Sequence, residues 1–550
     1  MNIILVYQRG SMKIDGRKIG EGSVLESDVC IVGAGAAGIT LSLSLIRAGI
    51  NVILIESGGL TYDPNTQDLY AGENIGRSSE ATQSSPLSSC RLRYFGGTTN
   101  HWVGNCPQLS EIDFEQKPWS PGTGWPIPFE EVQAYYNEAA DICQLGPDFN
   151  LLQKSEISKT PRPFPITGNR LRNYIHRVVS PTKSRFGMIY GETLFSSDRV
   201  RVVLNANAVE LVPTTNAKQI KHIRIKTLDG NQFHVLARHF VIATGGIENA
   251  RLLLASRSVI SNGLGNDFDW VGRTFMEHAH LVSGFFLPTN SNLKGNYYKR
   301  FKIENSDNYY RGMMMPRPEQ IRADQILNSS IHLVPVERIP ERYIEAELSE
   351  AFASLRSLRR SAIRGEFPDD FWEYMWNILT DIDDAAIGTY SKSQKPSEPG
   401  NMYKLFVISE TAPNRNSRVQ LTDKVDALGM PRVSLNWQLS PIDFKTTRRM
   451  QELVGLEMGR ADLGRVFLPN IEYDDVWNDL IFGGCHHMGT TRMDPNPKLG
   501  VVDKDARVHG IANLWLAGSS IFPSVGAANP TLTIVALTLR LGNRLRTEFN

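Results

Sequence analysis

His486 opens the segment His486-His487-Met488-Gly489-Thr490-Thr491-Arg492-Met493, and Asn529 opens Asn529-Pro530-Thr531-Leu532-Thr533. A neutral imidazole, with an ordinary pKa of about 6.5, accepts a proton near pH 7. An alcohol hydroxyl holds its proton about as tightly as bulk water, at a pKa of roughly 16. Taking a hydride from an alcohol carbon therefore requires a base for that proton and a group that holds the oxygen. His486 and Asn529 are candidates for the two tasks. Both also have plain structural readings. A lone histidine is more often structural than catalytic. Asn-Pro is a favoured helix start, with Asn as the N-cap and Pro at the first helical position. His486 and His487 are neighbours, so in an extended segment their side chains point to opposite faces and at most one meets a given ligand.

A catalytic pair of this kind needs an electron acceptor, and the other end of the chain offers a site for one. Val29-Cys30-Ile31-Val32 reads as a strand, Gly33-Ala34-Gly35-Ala36-Ala37-Gly38 follows at once, and Ile39 to Ala48 has helical periodicity. A second apolar strand, Asn51 to Ile55, ends in Glu56. Gly33 suits the tight turn, Gly35 lets backbone approach a pyrophosphate, and Gly38 lets the helix pack on the strand. The helix N-terminus presents free N–H groups to phosphates, and Glu56 can accept from ribose hydroxyls. The motif alone does not separate FAD from NAD; its place close to the start favours FAD. Leu514-Trp515-Leu516-Ala517-Gly518-Ser519 is a second strand running into a turn whose amides can meet phosphate.

Other segments must bring these ends together. Leu60 to Ser89 reads as a long polar loop leading into Arg91-Leu92-Arg93-Tyr94-Phe95-Gly96-Gly97-Thr98-Thr99-Asn100-His101-Trp102. There the Gly-Gly and small hydroxyl residues let backbone lie against a flat ligand, while His101-Trp102 could equally be a core pair. Arg201 to Leu204, Ala208 to Val212 and Phe240 to Ala243 read as strands, with a helix from Glu248 to Ala255. Residues 341–380 are helical in pattern, with Arg356, Arg359, Arg360 and Arg364 making a solvated face or a docking surface. Residues 403–440 fit two strands of a substrate-covering sheet, joined by a turn at Asp426 to Pro431.

Composition narrows the class. Lys plus Arg number 59 and Asp plus Glu 58, a balance that gives no electrostatic reason to expect nucleic acid or an anionic membrane. No apolar run reaches the roughly 18 residues of a membrane span. Cys30, Cys90, Cys106, Cys143 and Cys485 are scattered without a Cys-x-x-Cys, so no metal site, iron–sulfur site or disulfide framework is expected. A reducing, cytoplasmic setting fits, with export alongside a partner subunit as the alternative. Met1 to Tyr7 is apolar but too short for a convincing signal peptide, and Met12 is a second candidate start.

From Asp28 to Leu541 the chain resembles the glucose–methanol–choline (GMC) oxidoreductases, FAD enzymes that oxidise alcohols. The motifs that carry this are the glycine fingerprint with Glu56, the Gly96-Gly97 segment and the C-terminal block. Within the family it is similar to pyranose oxidases and sugar or glycoside dehydrogenases. They share the His-x-x-Gly-Thr-x-Arg-Met pattern of His486 to Met493, and the stretch Gly526 to Thr533 apart from one extra alanine. The resemblance implies an α/β fold. A Rossmann-like FAD-binding domain would be built from separated segments, 27–110, 195–280 and 485–550. A substrate domain, with a mixed or antiparallel sheet covered by helices, would occupy 111–194 and 281–484.

It selects His486 over His487 as the catalytic histidine, with Asn529 as its partner and hydride passing to flavin N5. Cofactor contacts are expected from Gly33, Gly35, Gly38, Glu56, Arg91, Gly97, Thr98, His101, Asn105, Ala208, Gly518, Ser519 and Thr531. His101 occupies the position that holds FAD covalently in pyranose oxidases and some sugar dehydrogenases. Val103 stands where pyranose oxidases have a hydroxyl residue, and the iron–sulfur segment of three-subunit dehydrogenases is absent from the sequence. The electron acceptor is therefore open among oxygen, a quinone and a redox protein such as a small or cytochrome subunit. The expected substrate is a small-molecule alcohol, foremost a sugar or glycoside secondary hydroxyl. A natural-product alcohol, and a role as the flavin subunit of a multi-subunit dehydrogenase, are the alternatives. Specificity is expected to reside in 280–480.

Overall fold

A computed structural model describes residues 12–77, 86–146, 160–290, 293–303, 306–336, 402–468 and 481–549, with scattered positions between 354 and 377. Arg356, Arg359, Arg360 and Arg364 lie outside the described residues.

Val29 to Val32, Val52 to Ile55 and Phe240 to Ile242 are unbroken buried apolar runs, the pattern of parallel strands covered on both faces. They form the centre of a sheet in which Val24–Val32 lies between Val52–Ile55 and Gln232–Ile242, all parallel. Val200–Leu204 continues it beyond Val52–Ile55, and Leu514–Leu516 pairs in parallel with Gln232–Ile242. Helix α1 (Ala36–Arg47) follows the first glycine turn, and α2 (Gly245–Ala255) follows Gln232–Ile242. Both begin earlier than the sequence pattern suggests, because the small residues of each turn, Ala36 to Gly38 and Gly245–Gly246, supply the first helical turn. This is the expected Rossmann-like unit, assembled from segments far apart in the chain.

A second sheet, largely antiparallel, joins Leu171–Val178, Tyr309–Pro316, Ser329–Val336, Met402–Ser409 and Ala279–Pro288. Its residues alternate between faces, as strand geometry requires. Met314, Ile331, Leu405 and Val407 pack against Met450, Leu453 and Val454 of α3 (Pro441–Arg460). That helix starts sharply because Ser440 and Asp443 form a reciprocal capping box with Pro441 at the first position. On the opposite face, Met313 and Met315 meet Ala527, beside the Asn529 segment.

Two sequence expectations are corrected. Leu60 to Ser89 is not structureless: a short helix, Pro64–Asp68, is capped by the Asp63 carboxylate, and Gly72–Asn74 forms a strand. The predicted hairpin exists as Arg418–Val425 and Pro431–Asn436, but it does not belong to the substrate-side sheet. It pairs with Gly72–Asn74 in a separate three-stranded sheet. Alternation shows that a segment is a strand; it carries no record of which sheet the strand joins. No helix among the described residues is long and apolar enough to cross a membrane.

Candidate active site

The parallel strands end at one rim, and a cavity of about 650 Å³ opens there. It is lined by the turns that follow each strand, at Gly33 to Ala37, Glu56, Ala243 to Gly246 and Gly518–Ser519. This is where open α/β sheets bind ligands. Gly33 has φ +99°, which favours glycine. A Cβ on Gly38 would lie 1.8 Å from the Gly33 carbonyl oxygen, so only glycine lets α1 seat on the turn. Gly38 is thus the one expected cofactor residue that does not line the cavity; it holds the turn from behind.

The residues at this rim fit a dinucleotide. Gly35 caps helix α1 without a side-chain hydrogen bond, and a Cβ built there would meet nothing, so bare backbone N–H groups face the open cavity. The Glu56 carboxylate, 5% exposed, accepts from the Ala34 and Gly58 N–H groups at 2.9 and 3.0 Å. Each oxygen keeps a lone pair for a hydroxyl donor. Burial raises the Glu56 pKa, opposed by those two backbone bonds. Arg91, Gly97, Thr98, His101, Asn105, Ala208, Ser519 and Thr531 all border the same cavity. His101 is exposed there, and Trp102 donates through Nε1 to the Ser184 carbonyl at 2.7 Å, so the two do not form a buried core pair.

His486 and Asn529 also line this cavity, with Asn529 Nδ2 at 3.0 Å from His486 Nε2. On its other side, His486 Nδ1 lies 2.8 Å from His278 Nδ1. The His486 backbone N–H donates to the Glu277 carboxylate. Burial, and then the neighbouring His278, His280 and His487, hold the His486 pKa well below the ordinary 6.5, so the ring is neutral at pH 7.

Asn529 is not the cap of the last helix. Helix α4 (Thr531–Arg546) begins two residues later, with Pro530 at the cap position, and the Asn529 amide is spent on His486 instead. His487 borders the same cavity as His486, contrary to the expectation of opposite faces. Cys485 turns through φ +60°, so the segment is not extended and strict alternation does not hold. The two rings still differ in surroundings, since His487 packs on Phe275 at 5.6 Å between centroids.

The scattered cysteines proved a poor guide. Cys90 and Cys485 form a disulfide across 395 positions of sequence, joining the residue before Arg91 to the residue before His486. Cys30, Cys106 and Cys143 are free and buried. The reducing compartment argued from unpaired cysteines loses that support, because disulfides persist in oxidising ones. Among the described residues, no group of His, Cys, Asp and Glu is arranged to hold a metal ion.

Sequence reading missed a charged cluster on the cavity wall. Glu248, in the first turn of α2, pairs with Arg91 at 2.8 Å, Arg93 at 3.3 Å and Arg251 at 3.2 Å. Arg91 and Arg93 both lie over the Tyr70 ring, at 3.9 and 4.7 Å. Burial works to raise the Glu248 pKa, but the Arg251, Arg91 and Arg93 guanidiniums overcome it and hold it at about 2. The cluster ties the Arg91 segment to the start of α2. His278, also unflagged, stands beside the noticed stretch only in space. The sole hint was the pattern Glu277-His278-Ala279-His280.

A Rossmann-like sheet, a dinucleotide cavity at its rim and a neutral histidine–asparagine pair on the wall define an FAD-dependent oxidoreductase. A family model described as GMC oxidoreductase matches residues 413–538, and one described as FAD binding domain matches 26–65. Fructose dehydrogenase large subunit of Gluconobacter japonicus is 21% identical, the match covering 95% of this chain and 98% of that one. Paromamine 6'-oxidase of Streptomyces fradiae is 22% identical, covering 93% and 90%. Among solved structures, pyridoxine 4-oxidase from Mesorbium loti superposes with a TM-score of 0.56 at 15% identity, over 94% of this chain and 99% of that one. Residues 413–538 carry the pattern of the GMC oxidoreductase family, and relatives across nearly the whole chain are oxidases and dehydrogenases by name. Its cofactor is FAD, and it acts on alcohol CH–OH groups.

Proposed function

We propose that His486 takes the hydroxyl proton of an alcohol substrate while Asn529 holds the substrate oxygen. The contact that carries this reading is the 3.0 Å approach of Asn529 Nδ2 to His486 Nε2 on the cavity wall. With that contact, a neutral base and an amide donor would both reach one substrate oxygen. Bound FAD supplies the acceptor for the carbinol hydride, at N5. Gly33 to Ala37, Glu56, Arg91, Gly97, Thr98, Asn105, Ala208, Gly518, Ser519 and Thr531 would hold it. The FAD-binding unit is drawn from 27–110, 195–280 and 485–550. Residues 111–194 and 281–484 form the substrate unit and its connections.

The substrate we favour is polyhydroxylated: a sugar or glycoside, oxidised at a secondary hydroxyl. Relatives named for fructose and for an aminosugar antibiotic support this. The substrate-side sheet adds a physical reason. His332 pairs across strands with Phe406, and Phe406 packs edge-on against His280, so these rings share the face opposite α3. His280 lies 5.9 Å from the His486 ring between centroids. His280 Nε2, His332 Nδ1 and His176 Nδ1 are buried without a partner among the described residues. Burial holds all three rings neutral, with His176 and His280 at about 3 and His332 also well below the ordinary value. Buried nitrogens without a partner call for hydrogen bonds, and a polyol that reached past His486 along this face would bring several hydroxyls to them. Anaerobic mixing with a panel of sugars, glycosides and simple alcohols should bleach the flavin fastest with the polyhydroxylated members. Equal or faster bleaching by monohydroxy alcohols would count against the assignment.

His101, exposed on the cavity, is the proposed point of covalent FAD attachment. After acid precipitation the yellow colour should stay with the protein pellet; colour released wholly to the supernatant would exclude the bond. The name of one relative as a large subunit supports a second arrangement, in which a small or cytochrome subunit takes the electrons. Co-purification of such a subunit favours it, while steady turnover with oxygen alone favours an oxidase.

A further inference from the structure

His278 is fully buried at the start of the strand Ala279–Pro288, and both of its ring nitrogens are engaged. Nε2 lies 3.0 Å from the Gly526 carbonyl oxygen, and Nδ1 lies 2.8 Å from His486 Nδ1. A carbonyl can only accept, so His278 Nε2 must carry a hydrogen. A neutral imidazole carries one N–H, which leaves His278 Nδ1 as an acceptor. His486 must then donate from Nδ1, and its own Nε2 is left bare. That bare nitrogen is the one facing Asn529 Nδ2, an N–H donor at 3.0 Å. In the other tautomer of His486, two lone pairs would meet at 2.8 Å. Turning the Asn529 amide cannot repair that contact, so the Gly526 carbonyl, acting through His278, decides the proton's place.

We propose that His278 is a positioning residue that keeps the His486 proton on Nδ1 and so reserves Nε2 for the substrate hydroxyl. The inference rests on the reading of His486 as the base. The substrate hydroxyl takes the place of the Asn529 N–H at His486 Nε2, Asn529 turns to the substrate oxygen, and when the O–H bond breaks its proton bonds to Nε2. The imidazolium formed keeps donating from Nδ1 to His278, which disperses the new charge. The electron pair of the carbinol C–H bond leaves as hydride to FAD, and the alcohol carbon becomes a carbonyl. Burial favours the neutral form that the tautomer argument needs in His278. It lowers that pKa to about 4, against the opposing pull of the Val525 and Gly526 backbone.

The experiment compares the flavin-loaded protein and three variants, His278→Phe, His278→Asn and His486→Ala, by anaerobic stopped-flow reduction with the best alcohol of the panel. His278→Phe keeps a ring of similar size without an acceptor. It should retain FAD and the substrate dependence of the parent, while its limiting reduction rate falls by about 100-fold or more, the scale of a base left in the wrong tautomer. His278→Asn restores an acceptor oxygen near Nδ1 and should recover most of that loss. If the Phe variant does not hold FAD, His278→Met replaces it, with the same expected loss. Reduction by His278→Phe within about threefold of the parent, with His486→Ala inactive, would overturn the role of His278 alone. An Asn variant as slow as the Phe variant would overturn it equally. Normal reduction by His486→Ala would instead remove the reading on which it rests.

Discussion

His486→Ala is expected to purify with its full complement of FAD and to lose flavin reduction by about 10²- to 10⁴-fold, the usual worth of a positioned base. The two outcomes separate because the FAD-binding backbone comes from glycine turns and the α1 start, while His486 reaches the cavity from another segment. An ordinary alcohol at a pKa of roughly 16 cannot shed its proton to water fast enough to support hydride loss. The defect should therefore appear in the limiting rate and leave substrate binding little changed. The acid side of the profile adds a second check. The base works only when neutral, so reduction falls as pH drops through its pKa. Burial and the surrounding histidines hold that pKa well below 6.5, so the parent should keep its rate under mildly acidic conditions in which an ordinary histidine would already be protonated. A variant that reduces at the parental rate, or a parental acid limb at or above 6.5, would remove His486 from the mechanism.

Glu248→Gln should be the most damaging change for stability. The parent buries one carboxylate among the Arg91, Arg93 and Arg251 guanidiniums. Removing its charge leaves Arg91 and Arg93 stacked over Tyr70 without their counter-ion, while Arg251 keeps Asp426 at 2.7 Å. Breaking a buried pair by deleting one partner typically costs about 3–5 kcal/mol. The variant should unfold at a clearly lower temperature at pH 7 and hold FAD less tightly, since Arg91, Arg93 and Glu248 all border the cavity. Linkage gives the pH signature. The folded Glu248 pKa is depressed, to about 2 from the ordinary 4.5. Its stabilisation is therefore complete above 4.5 and is lost as pH falls through about 2. The gap between parent and variant should accordingly be widest near neutrality and shrink across that acidic window. Calorimetric scans over this range check it; coincident melting curves at pH 7 would show that the cluster carries no net stability.

Much of the site was legible because its parts are local. Gly33, Gly35 and Gly38 lie within one turn and helix start, and their spacing follows from backbone geometry that any ligand-bearing βαβ unit must satisfy. The choice of His486 over His487 came from the family resemblance, through its distance from Gly489-Thr490, and the face argument used for that pair failed at the Cys485 turn. The Arg418–Val425 strand showed the complementary limit: its alternation was plain, yet its sheet was misjudged.

By itself the sequence determined the dinucleotide turn and the strand and helix types that support it, and it named His486 and Asn529 as candidates to act on an alcohol. Only the tertiary structure decided their companions. His278 meets His486 from 208 positions away, Arg91 meets Glu248 from 157, and Cys90 joins Cys485 from 395. Asn529 turned from helix cap to partner of His486 in the same way. The physical reason is common to all of these. Spacing along a chain sets which side chains share a helix or strand face. The partner of a ring nitrogen or a carboxylate is set by how separate elements pack. That packing fixed the hydrogen on His486 Nδ1 and left Nε2 the acceptor, held by Asn529 until a substrate hydroxyl takes its place.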